Sequence, residues 1–173
     1  MPEIIKNGAI VADSWQLLQL AAGETAETVA LPAGPLLVPL AVWQARRQEL
    51  AARGAAENTP LGVWLDAGEG PEALVGDLDK LAVIGVNFPK FTDGRSYSSA
   101  RLLRERYGYT GEIRALGDVL YDQLFAMRRC GIDAYALRAD QNLEKALAGF
   151  ATFSETYQAA VDQPLPLFRR RAA

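Results

Sequence analysis

The chain of 173 residues has no histidine and a single cysteine, Cys130. Without histidine it lacks the side chain that moves protons near neutral pH at its ordinary pKa, and the imidazole that binds zinc, copper or haem iron. Triads built on histidine are excluded within the chain, which leaves carboxylates, lysine, tyrosine, the thiol or a borrowed cofactor for any chemistry. One cysteine excludes an intramolecular disulfide and an all-cysteine metal or iron–sulfur site from this chain alone, and suits a reducing cytoplasm. A surplus of positive charge is also missing. Eighteen basic residues against 21 acidic ones give a net charge of −3, so no basic field favours a phosphate backbone and nucleic acid is not an expected partner. No apolar run approaches the roughly 20 residues that span a bilayer, and Met1 to Asp13 lacks a basic stretch followed by an apolar one. The expectation is a cytoplasmic protein with no membrane partner. No candidate strand is followed by a Gly-rich loop of dinucleotide or phosphate-loop spacing, so nicotinamide and ATP have no motif behind them, and any cofactor stays unknown.

What is present reads as one folded domain: 50% of residues are hydrophobic and 23% charged, the ordinary balance for a globular chain of this length. Residues 1–30 look like an appendage. Ile4-Ile5 and Ala9-Ile10-Val11 flank Lys6-Asn7-Gly8, an Asn-Gly turn signal that predicts a small β-hairpin. Trp15, Leu17, Leu18 and Leu20 would pack it onto the main body.

Residues 31–155 repeat one pattern, an apolar run followed by a stretch with helical spacing. Leu36 to Leu40 precedes a helix from Val42 to Arg53, with Gly54 as its stop. Leu61 to Leu65 precedes a helix that Pro71 opens. Leu81 to Val86 leads through a polar loop into a helix from about Tyr97, ending at Gly108. Glu112 to Leu116 leads through Asp118, a good N-cap, into a helix closed by Gly131. Ala134 to Leu137 precedes Leu143, Ala146, Leu147 and Phe150 on one helical face. Alternating strands and helices predict an α/β domain with a mainly parallel sheet of about five strands and flanking helices. Periodicity leaves an open sheet and a partial barrel both standing. Residues 156–173 form a Pro-rich basic tail that contains Arg169-Arg170-Arg171 and is read as extended or flexible.

Ligands of parallel α/β folds gather at the carboxyl ends of the strands. Those positions are Asp66, the loop Asn87 to Arg95, Gly117-Asp118 and Arg138-Ala139-Asp140. The Asn87–Arg95 loop is the longest and stands before a helix start, where Lys90, Arg95 and free backbone N–H groups could hold an anion. Asp93 and Asp118 would shape the turn and cap the next helix. Arg114 joins the candidates from inside a predicted strand, with its side of the sheet open. The plainer alternative is a turn at Asp93-Gly94 with solvated cations. Cys130, beside Arg128 and Arg129 near a helix end, fits a packing residue better than a reactive thiol.

The run Asn87-Phe88-Pro89-Lys90-Phe91-Thr92-Asp93-Gly94-Arg95-Ser96-Tyr97-Ser98, then Ala100 to Arg104, then Gly111 to Leu124 and Arg128 to Ala134, resembles the bacterial family known as domain of unknown function 934. The likeness covers most of the chain and is strongest from Leu61 to Leu137. That family usually accompanies assimilatory sulfite reductase and is often labelled a probable oxidoreductase of sulfite reduction, a label drawn from gene neighbourhood. The resemblance therefore implies a pathway. Three roles follow within it: an accessory protein binding a small anion or a partner's cofactor through Lys90, Asp93, Arg95, Arg114 and Asp118; a non-catalytic docking module for sulfite reductase or its electron donor, with the basic tail as a salt-sensitive contact; or an oxidoreductase with a borrowed cofactor. The resemblance carries no established catalytic residues.

Overall fold

The Asn-Gly signal is fulfilled in the computed structural model, which describes residues 2–171. Asn7 and Gly8 take φ of 50° and 77°, the doubly positive turn of a two-residue hairpin, and join β1 (Glu3–Lys6) to β2 (Ala9–Ala12). A two-residue strand, β3 (Gln16–Leu17), follows. The apolar runs then form β4 (Leu36–Pro39), β5 (Leu61–Leu65), β6 (Val83–Phe88), β7 (Glu112–Gly117) and β8 (Ala134–Tyr135). Between and after them lie α1 (Leu40–Glu57), a 3-10 helix with Pro71 in its first turn (Pro71–Lys80), α2 (Arg95–Glu105), α3 (Leu124–Arg129), α4 (Leu143–Ala148) and α5 (Leu167–Arg170). Helix α1 passes Gly54 and ends at Asn58, whose left-handed backbone lets its N–H reach Gly54 O.

The sheet corrects the expectation of a mainly parallel, five-stranded one. It has eight strands in the order β2-β1-β8-β7-β6-β5-β4-β3 and is mixed. Strands β3 to β8 run parallel in chain order, whereas β1 is antiparallel to both β2 and β8. The hairpin thus continues the sheet, because the edge of β8 offers backbone groups that β1 satisfies. Strand β3 is too short to leave a periodic signal.

Curling follows from chain length. Only Asp13, Ser14 and Trp15 connect β2 to β3, the two edge strands. That connection spans at most about 14 Å, while eight strands laid flat would hold their edges roughly 33 Å apart. The sheet must roll toward a barrel.

The two faces of the rolled sheet are filled differently. On the convex side Val38, Val63, Leu65, Ile84, Val86, Phe88, Ile113, Ala115 and Tyr135 pack with helical residues such as Trp43, Leu50, Leu74, Leu103 and Met127 in one apolar core. The 3-10 helix and α1 to α4 pack there, and those between successive parallel neighbours do so as right-handed crossovers require. The concave side holds Leu37, Val83 and Leu116 with Trp15, Trp64 and Ala136. A methyl on Gly85 would stand 2.7 Å from Leu116 Cδ1 and from Trp64 Cβ, so the absent side chain makes room for these larger neighbours.

The carboxyl-terminal tail also differs from expectation. Val161 N donates to Arg129 O at 3.1 Å and Leu167 N to Tyr157 O at 2.9 Å, while Arg170 Nη1 donates to Glu155 at 2.7 Å. These contacts fold the segment back on α3; Ala172 and Ala173 lie outside the described residues. No helix among the described residues is long and apolar enough to cross a membrane.

Candidate functional site

Because β5 to β8 are parallel neighbours, the loops after them meet on one rim of the curled sheet. The carboxylate of Asp118, just beyond β7, ties three loops together. Its backbone N–H donates to Phe88 O at 2.7 Å. One oxygen, Oδ2, accepts from Phe91 N at 2.8 Å, and the other, Oδ1, accepts from Arg138 Nη1 at 2.7 Å. Asn87 extends the connection to the loop after β5, donating from Nδ2 to Asp66 Oδ1 at 2.8 Å. Gly117 permits this closeness. Its φ is +89°, and a Cβ there would lie 2.5 Å from both Asn87 Oδ1 and Phe88 O, so only glycine combines the left-handed backbone with the space.

The loop leading into α2 is ordered by its own ions. Asp93 accepts from Arg95 N at 3.2 Å, Nε at 3.0 Å and Nη2 at 2.7 Å. Those bonds from Arg95 pull the Asp93 carboxyl down to about 2. They leave Nη1, which lies near Gly68. Arg138 is gripped similarly, with Nε and Nη2 on Asp140 at 2.7 and 2.8 Å. Its bonds to Asp140 and Asp118 raise its pKa further, and Asp140 falls to about 2. Lys90 is exposed and joins no ion pair among the described residues. Buried Gln123 anchors the loop from below: Nε2 donates to Phe91 O at 3.4 Å and Oε1 accepts from Leu120 N at 2.9 Å. Phe91, 49% exposed, and Tyr121, 43% exposed, stand on the same rim.

Of the residues chosen from the sequence, Lys90, Asp93, Arg95 and Asp118 come together here. Arg114 does not. It points into the concave interior, 3% exposed, where Nε donates to Glu112 at 2.6 Å and Nη1 to both Asp13 oxygens at 3.0 and 3.1 Å. Lys6 Nζ adds an ion pair to Glu112 at 2.7 Å, and the Trp15 ring faces the guanidinium at 5.7 Å. Alternation along β7 decides this placement: Arg114 shares a face with Glu112 and Leu116, opposite Ile113 and Ala115. Asp118 also departs from its expected role. The turn after it is held by the Gln123 side chain, and the Asp118 carboxylate serves the neighbouring loops. Asp66, Asn87, Arg138 and Asp140 complete the rim, and their one sequence signal is their place just after or at the end of a predicted strand. The Cys130 thiol is pushed up by burial, which disfavours the thiolate.

The rim is therefore a nearly balanced set of fixed charges. Arg95 and Arg138 are oriented by carboxylates and retain outward N–H groups, which suits recognition of a charged or hydrogen-bonding group more than proton transfer.

The family model described as "Bacterial protein of unknown function (DUF934)" matches residues 62–168. That span includes every rim residue named above and omits the hairpin, β3, β4 and α1. No curated protein matches the chain.

Proposed function

The chain belongs to the DUF934 family of bacterial proteins, and from that premise we propose that it is an accessory protein of assimilatory sulfite reduction that binds a small anion or a partner's cofactor at the strand-end rim. The pathway is the one that the resemblance of the Asn87–Leu124 run to that family implies. The site is supported by one observation above others: Lys90, Arg95 and the start of α2 occupy a single loop whose backbone Asp118 pins through Phe91 N. The helix start contributes a partial positive field, and Arg95, aligned by Asp93, offers Nη1. Arg138 supplies a second oriented guanidinium across Asp118. Calorimetric titration of the protein with sulfite, sulfate and phosphate tests the reading. Binding that weakens at least tenfold in Arg95→Ala is expected, and the absence of heat from all three anions defeats the small-ligand version.

A second reading is favoured by the exposed rings of Phe91 and Tyr121 beside Arg138. Exposed aromatics with arginine are the usual anchors of protein interfaces, so the rim would dock on sulfite reductase or its electron donor without chemistry of its own. Co-purification of wild type, but not of a Phe91→Ala/Tyr121→Ala variant, is the expected outcome.

A further inference from the structure

Three arginines converge where the carboxyl-terminal segment folds back on α3. Arg128 and Arg129 come from the last turn of α3 and Arg170 from α5. Two carboxylates stand among them. Asp162 faces Arg128 Nε and Arg129 Nη1, each at 3.5 Å, too far for a good hydrogen bond. Glu155 takes Arg170 Nη1 at 2.7 Å. The cluster thus keeps one uncompensated positive charge.

Its donors are also short of acceptors. Arg128 Nε, Arg129 Nη1 and Arg170 Nε are enclosed with no hydrogen-bond partner among the described residues, while Nη2 of each donates to a backbone carbonyl, that of Phe150, Gln158 and Thr156 in turn. Arg104, more deeply set in the fold, shows the contrast: its three nitrogens donate to Gly131 O, Tyr109 O, Gly111 O and Asp133 at 2.7 to 2.9 Å. Buried donors without a protein acceptor are rare in folded proteins and are met by an ordered water, an ion or a ligand. A cavity of about 340 Å³ opens between Arg128 and Arg170, with Ser154, Thr156 and Gln163 on its wall beside Phe125 and Phe153, and with the paired carboxylates Glu155 and Asp162 at its edge. Arg128 lies 5.5 Å from the Phe125 ring centre, and the Phe125 and Phe153 rings are 5.1 Å apart. Stacking of this kind fixes the plane of a guanidinium.

We propose that this cavity binds a tetrahedral oxyanion of the sulfate or phosphate class, free or as the terminal group of a small ester. Arg128 and Arg170 clamp it, the hydroxyls of Ser154 and Thr156 donate to it, and Arg129 adds charge from behind. The cavity exceeds a bare oxyanion, and Phe153 can receive the body of an ester. This site shares no residue with the strand-end rim, so it stands apart from the function proposed above.

The test is calorimetric titration of the full chain, in chloride buffer, with inorganic sulfate, inorganic phosphate and phenyl phosphate. Wild type, Arg95→Ala, Arg128→Gln, Arg170→Gln and Arg170→Lys are compared. A saturable phase separate from the one lost in Arg95→Ala, which persists in that variant, weakens at least tenfold in either glutamine variant and partly returns in Arg170→Lys, is the expected pattern. Tighter binding of phenyl phosphate than of inorganic phosphate identifies an ester, and equal affinity identifies the free ion. No saturable binding to wild type, glutamine variants that bind as wild type, or loss in Arg95→Ala alone would each overturn the proposal. The last of these would leave the strand-end reading intact. If Arg170→Gln disturbs the tail, seen as a changed circular-dichroism spectrum, Arg128→Gln and Arg170→Lys decide.

Discussion

Arg114 and Arg138 are each held by two carboxylates, Arg114 by Glu112 and Asp13 and Arg138 by Asp118 and Asp140. The Arg114 side chain is 3% exposed inside the curled sheet, and that of Arg138 is 47% exposed at its rim. Similar pairs therefore do different work. In the interior water cannot replace a lost partner, so the charges bind one another to the fold and fasten the crossing segment at Asp13 to β7. At the rim solvent screens the attraction, so the pairs contribute little to stability but hold guanidinium groups in fixed orientations where solvent reaches them. Burial separates a structural ion network from an available one.

The sharpest way to break this comparison is Arg114→Met. It leaves Asp13 and Glu112 without their main partner in the interior, and removal of one member of a buried pair costs about 3–5 kcal/mol. Urea denaturation measures it; a loss under about 1 kcal/mol would put the interior network on the same footing as a surface pair. Asp118→Ala should rank second, at about 0.5–1.5 kcal/mol, because an acceptor is withdrawn from Phe91 N in a bond that water can partly replace. Asp118→Asn keeps an acceptor and should cost less. Slower hydrogen exchange of the Phe91 amide in Asp118→Asn than in Asp118→Ala would locate the effect.

Smaller again is the expected effect of Arg138→Ala and Arg95→Ala, whose unfolding midpoints should match wild type while binding at the rim falls. A large drop in midpoint would make the rim structural. The rim should also tolerate acid. Asp93 and Asp140, held at about 2 by hydrogen bonds from Arg95 and Arg138, keep their pairs above the ordinary carboxylate range near 4 and lose them as pH falls through about 2. Carbon-detected NMR titration of the two carboxyls reads this, and midpoints near 4 would show the pairs to be loose in solution. Last, the Cys130 thiol, pushed up by burial, should react with iodoacetamide more slowly than free cysteine at pH 8.

Much of the rim's composition was legible because it depends on local order. Five apolar runs, each followed by a turn and a helix, locate the strand ends, and the rule that ligands gather there picked out Lys90, Asp93, Arg95 and Asp118. Arg138 carried the same positional signal, but nothing local showed that it would share Asp118 with the Phe91 amide across 20 residues of chain. The error over Asp118 has a similar cause. Its place before a helix is that of an N-cap, yet Gln123 already supplies the acceptor at that turn.

By itself the sequence determined the α/β alternation, the hairpin turn at Asn7-Gly8 and the rim loops, since each is set by residues within one or two turns of one another. Tertiary structure alone decided that β1 closes on β8, that the edges are drawn together by the Asp13–Trp15 link, and that Arg114 faces inward. Pairing between distant strands and the partner of a buried charge depend on which surfaces meet after folding. A pattern of neighbours along the chain does not encode that meeting.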